Sequence, residues 1–125
     1  MRKITFYLFL ILMSSSVFAA GKIVYLSCPK LDERAPDLKI TLDQSNGTAS
    51  AQSPLSGSGL NFTSQASFGP EQVTWRSDSR ELKQMFSIDR TSLMLERKTF
   101  SEMTGNTYSE KSECKIIKAP KSAKF

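Results

Sequence analysis

From Asp37 to Asp43 the chain alternates without a break. Leu38, Ile40 and Leu42 take one parity; Asp37, Lys39, Thr41 and Asp43 take the other. Period two is the repeat of a strand with one buried face. Lys22 to Cys28 is an earlier β-rich run, and the PKLDERAP stretch after it, with Pro29 and Pro36, reads as an irregular loop. Asn46-Gly47 predicts a hairpin turn, with Thr48 to Gln52 as the returning strand. The Ser/Gly-rich SPLSGSG is a loop. Leu60 to Phe68 is a strand that sets Phe62, Ala66 and Phe68 on one face. Gly69-Pro70 turns into Val73-Thr74-Trp75, and RSDSREL is a polar connection. Gln84 to Asp89, a turn at Arg90 to Ser92, and Leu93 to Arg97 form a further pair, with Phe86, Ile88, Leu93 and Leu95 inward. Thr104-Gly105-Asn106 is another turn, and Glu110 to Ile117 is the last strand.

This gives an all-β domain of about eight short antiparallel strands, with no internal repeat and no convincing helical period. Cys28 and Cys114 are the only cysteines, one near each end of the β-rich region. The first residues explain what that means. Arg2 and Lys3 precede an apolar run, Ile4 to Met13, followed by three serines and then Val17 and Ala19, the small residues a signal peptidase reads. Such a run suits a signal peptide and is too short to span a bilayer. The expected division is a leader over 1–19 cleaved after Ala19, one β domain over 20–117, and a basic tail over 118–125. The mature chain then has no membrane-spanning run and lies in the periplasm or outside a bacterial cell. An even cysteine count in an exported chain reads as a disulfide. A lipid anchor on Cys28 fits poorly, because Tyr25-Leu26-Ser27 before it lacks the small residues a lipid-modifying peptidase prefers. Bonded cysteines bring the first and last strands together, since their Cα atoms must lie within about 7 Å. A meander whose ends meet is a small closed or nearly closed barrel, lipocalin-like in outline; the alternative is a β-sandwich stapled by the same bond.

Charge and residue chemistry narrow the function. The net charge is +5, and Arg2, Lys3, Lys118, Lys121 and Lys124 account for it, so the β domain is near neutral. That excludes the basic groove of a nucleic-acid binder. The chain has no histidine, which removes histidine-based acid–base catalysis, histidine-dependent triads and histidine metal ligation. The Gly57 to Gly59 stretch lacks the strand-to-helix setting of a phosphate loop. No carboxylate sits in an apolar run that would raise its pKa. No catalytic residue, cofactor or metal is therefore assigned. Trp75 shares parity with Val73 and reads as core. Arg76, Arg80 and Arg90 lie in or beside connections and are the candidate surface contacts for a protein partner.

Several stretches carry a resemblance: an early Cys28, the hairpin from Lys39 to Ser50, the turn from Phe68 to Trp75, the hairpin from Ile88 to Leu93, and a late Cys114. With its leader, the chain resembles the small exported bacterial β proteins of unknown function. The resemblance implies fold and export, and brings no catalytic residue or ligand. The expected role is a small exported, non-catalytic binding or interaction module. The alternatives are a carrier of a small apolar ligand inside the barrel, and an inhibitor or immunity-type protein acting on a secreted enzyme.

Overall fold

The computed structural model describes residues 22–56, 59–79 and 81–119. The expected leader and all but Lys118 and Ala119 of the expected tail lie outside the described residues. Nine antiparallel strands form one sheet: β1 Ile23–Ser27, β2 Lys39–Asp43, β3 Thr48–Gln52, β4 Phe62–Phe68, β5 Gln72–Asp78, β6 Leu82–Asp89, β7 Met94–Ser101, β8 Thr107–Glu113 and β9 Lys115–Ile117. From β1 to β8 each strand pairs with the next, and β9 returns to pair with β1. The sheet is a nearly closed barrel, as the meander argument expects. Among the described residues no helix is long and apolar enough to cross a membrane.

Closure depends on the last segment changing partner. β8 pairs with β7 up to Glu113 opposite Met94, whereas β9 pairs with β1 from Lys115 opposite Ser27. The change falls at Cys114, which is bonded to Cys28 with an S–S distance of 2.05 Å and Cα atoms 4.4 Å apart. The expected single strand from Glu110 to Ile117 is thus two strands hinged at the disulfide. β4 makes the opposite corner. Phe62 to Gln65 pair with β3, and Ala66 to Phe68 pair with β5. Strands that bend from one half-sheet to the other are how two layers are joined at corners.

Alternation fills the interior. Leu26, Ile40, Leu42, Val73, Trp75, Phe86, Ile88 and Leu95 are buried in one core. The Trp75 and Phe86 rings stack with centroids 5.5 Å apart, and Phe62 tilts against Phe86 at 5.6 Å. Several boundaries differ from the expected ones. β5 and β6 run on through most of RSDSREL, because Asp78 still pairs with Lys83. β7 continues to Ser101. The Asn46-Gly47 turn spans Gln44 to Gly47, since Asp43 pairs with Thr48, and only Gly47 needs a positive φ, at 65°.

Candidate functional site

The PKLDERAP stretch is irregular but not a free loop. Leu31 and Ala35 are buried in the core, and Leu38 follows them in. Backbone bonds hold its shape: Ala35 N–H donates to the Asp32 carbonyl at 2.9 Å, and Cys28 N–H to the Leu38 carbonyl at 3.0 Å. Lys30 N–H donates to Ser112 Oγ at 3.1 Å and ties the loop to β8. The segment therefore packs against one end of the barrel, with Asp32 turned toward β7.

On β7 the inward positions are Leu95, Arg97, Thr99 and Ser101. Arg97 is 7% exposed, and a guanidinium so deep needs partners. Its Nε donates to Glu110 Oε1 at 3.1 Å, and its Nη2 donates to Asp32 Oδ2 at 3.2 Å. Arg34 grips the same carboxylate from the rim: its Nε and Nη2 each donate to Asp32 at 3.1 Å. The Arg34 fork, with Arg97 behind it, holds the Asp32 carboxyl well below the usual range, although burial pushes the other way. A cleft of about 520 Å³ opens over this network, lined by Arg34, Leu60, Phe62, Ser77, Gln84 and Arg97 among others. Donors, hydroxyls and an amide stand there over an apolar wall, a lining suited to holding a polar group in a fixed orientation.

The loop after β3 is fixed beside this mouth by Asp37. Its carboxylate accepts from Ser53 Oγ and from Leu55 N–H, the latter at 3.1 Å. The Ser53 hydroxyl, ahead of burial and the Leu55 amide, sets the direction of the Asp37 pKa, which is lowered.

The other end of the barrel is apolar. A cavity of about 160 Å³ is lined by Val24, Leu42, Phe68, Ile88, Leu93 and Ile116 among others. Ligand pockets of the ordinary kind begin near ~300 Å³. Between the two ends the Trp75–Phe86 stack occupies the interior.

Of the arginines expected at the surface, Arg76 projects from β5 and bonds Asp78 at 3.3 Å. Arg90 sits in the β6–β7 turn and donates to the Gly69 carbonyl. Arg80 lies outside the described residues. Arg90 belongs to the apolar end, where its N–H meets the Glu71 carbonyl, so it and Arg76 are not brought into one site. The residues that do converge, Asp32, Arg97 and Glu110, carry a weak sequence signal: Arg97 has the parity of Leu95.

No protein-family model matches the chain, and no curated protein or solved structure matches it.

Proposed function

We propose that the protein is a small exported module without catalysis that binds a protein partner through the polar mouth of its barrel. The observation that carries this reading is the buried Arg97, fixed between Asp32 and Glu110 at the base of a cleft of about 520 Å³. A preset guanidinium with hydroxyl and amide neighbours supports recognition of a polar side chain or main-chain group at low ordering cost. The disulfide supports residence in an oxidising compartment, periplasmic or secreted. Inhibition of a secreted enzyme is one form of this role; a carrier role has only the small apolar cavity to support it.

The test is affinity capture from bacterial periplasmic and culture extracts, with the native chain and with an Arg34→Ala/Gln84→Ala variant run side by side. A stoichiometric protein retained by the native chain and lost with the variant is the expected result. A partner retained equally by both, or none in either extract, overturns the reading.

A further inference from the structure

The ladder between β4 and β5 is incomplete. It pairs Phe68 with Val73, Ser67 with Thr74 and Ala66 with Trp75, then stops. Both strands go on, β4 back to Phe62 and β5 forward to Asp78. Alternate residues of an antiparallel strand send both backbone groups to the same side. Ala66 N–H reaches the Gly47 carbonyl on the β3 side, and Gly69 N–H reaches the Gln72 carbonyl on β5. Even-numbered residues of β4 therefore bond toward β3, and odd-numbered ones toward β5. Thr63 sends its N–H and C=O into the gap. On β5 the same alternation, counted from Gln72, turns the backbone of Asp78 toward the gap, where β4 gives it no ladder partner.

Two side-chain atoms on the same strands add to this. Ser64 Oγ and Trp75 Nε1 are buried with no hydrogen-bond partner among the described residues. Trp75 is only 2% exposed, and a buried indole N–H ordinarily meets an acceptor. Both residues line a cleft of about 420 Å³ with Gln65, Thr74, Arg76 and Met85 among others.

We propose that the β4–β5 seam is a docking slot for an extended peptide segment of the partner. Its main chain bonds the open edges at Thr63 and Asp78, and one of its carbonyls accepts from Trp75 Nε1. Thr63 and Asp78 face each other across the gap in the register of the Ala66–Trp75 pair, each with an N–H and a C=O that the ladder leaves unpaired, and an extended main chain carries the matching donors and acceptors. Arg76 and Asp78 bond each other at the rim, so the slot favours a segment without strong charge. This inference rests on the binding-module reading and names the partner's chemistry.

The test uses the intact oxidised chain and a displayed library of short random peptides, followed by NMR. In the free protein the Thr63 and Asp78 amides should exchange at least about 100-fold faster than those of Ser67 and Thr74, which the ladder protects. Selected peptides should slow that exchange and shift the Trp75 indole resonance. Asp78→Pro deletes an N–H that serves no β4 ladder, so it should leave the unfolding midpoint unchanged and weaken peptide binding about tenfold. Trp75→Phe, which keeps an aromatic ring against Phe86 and loses the indole N–H, should weaken binding by a similar factor. Slow exchange at Thr63 and Asp78 in the free protein overturns the slot. So does peptide binding indifferent to both variants. Peptides that perturb Arg97 and Gln84 instead overturn the slot and leave the mouth reading standing. A library that yields no binder overturns the slot, and the mouth reading then rests on its own capture experiment.

Discussion

Leu93 holds a φ of 61°, a left-handed backbone that costs an L-residue about 1 to 2 kcal/mol. Its side chain packs against the core, and its carbonyl accepts Cys114 N–H at 2.9 Å, so the conformation serves the turn and the corner together. Leu93→Ala should lose the packing and keep the strain, while Leu93→Gly loses the packing and relieves it. The glycine variant should therefore be the more stable by about 1 kcal/mol in urea denaturation, the reverse of the usual order. Arg97 is the other residue under constraint. Arg97→Ala leaves two carboxylates facing a hole and should cost about 2 to 4 kcal/mol, less than a fully buried network because Glu110 is partly open to solvent. Arg97→Met, which refills the volume, should recover part of that loss. The sequence conceals this position for a plain reason. Parity with Leu95 points inward, but residue type argues outward, and only the carboxylate of Asp32, distant along the chain, decides between them. Arg76 and Arg90 show the reverse: both are at the surface, as their places beside connections imply, and both are held by local partners.

Three hairpins share one design of turn. Asp43, Asp89 and Ser101 each offer a side-chain oxygen to the N–H three residues on, at Asn46, Ser92 and Thr104. Gly47, Leu93 and Gly105, four residues on, take the positive φ. A Cβ at Gly47 or Gly105 would meet nothing within 4 Å, so Gly→Ala at either should cost only the backbone term, about 1 kcal/mol by thermal or urea melts. These turns were legible because Gly, Asn and Asp mark them; β2 and β6 were legible because one face of each is apolar, β3 because it follows the Asn46-Gly47 turn, and β7 only at its Leu95 end, since its inward face goes on as Arg97, Thr99 and Ser101. The corners were not. β4 pairs with both β3 and β5, and the last segment breaks at Cys114, yet neither change of partner interrupts alternation. The stretch from Pro29 to Pro36 is the irregular loop its prolines imply, but its packing against the core is hidden, because two prolines and four charges surround the buried Leu31 and Ala35. The disulfide holds its corner where pairing passes from β7 to β1. Replacing Cys28 and Cys114 together by serine should lower the unfolding free energy by about 2 to 5 kcal/mol, read from urea midpoints.

Across the whole molecule, the carboxyls of Asp32, Asp37 and Asp89 are held below the usual range. Arg34 is the main cause for Asp32, the Ser53 hydroxyl for Asp37, and the Ser92 and Thr91 amides for Asp89. As pH falls, the unfolded chain binds these protons first, near ~3.9, and the folded chain only further down. The stability they confer is complete above that value and drains away below it. Urea midpoints should be flat from about pH 7 to pH 5 and fall steeply toward pH 2, with a shallower fall in Asp32→Asn. The pairing of β1 with β9 has a consequence of another kind. Tyr25 lies opposite Ile117, so the chain leaves the barrel beside the place where it enters. Joining Ala119 to Lys22 through a few glycines and cutting between Ser45 and Asn46 should therefore give a circular permutant with the native sheet. In that permutant β9 and β1 become a tethered hairpin, and reduction of the disulfide should cost it less stability than it costs the parent chain, because the link already closes the same seam.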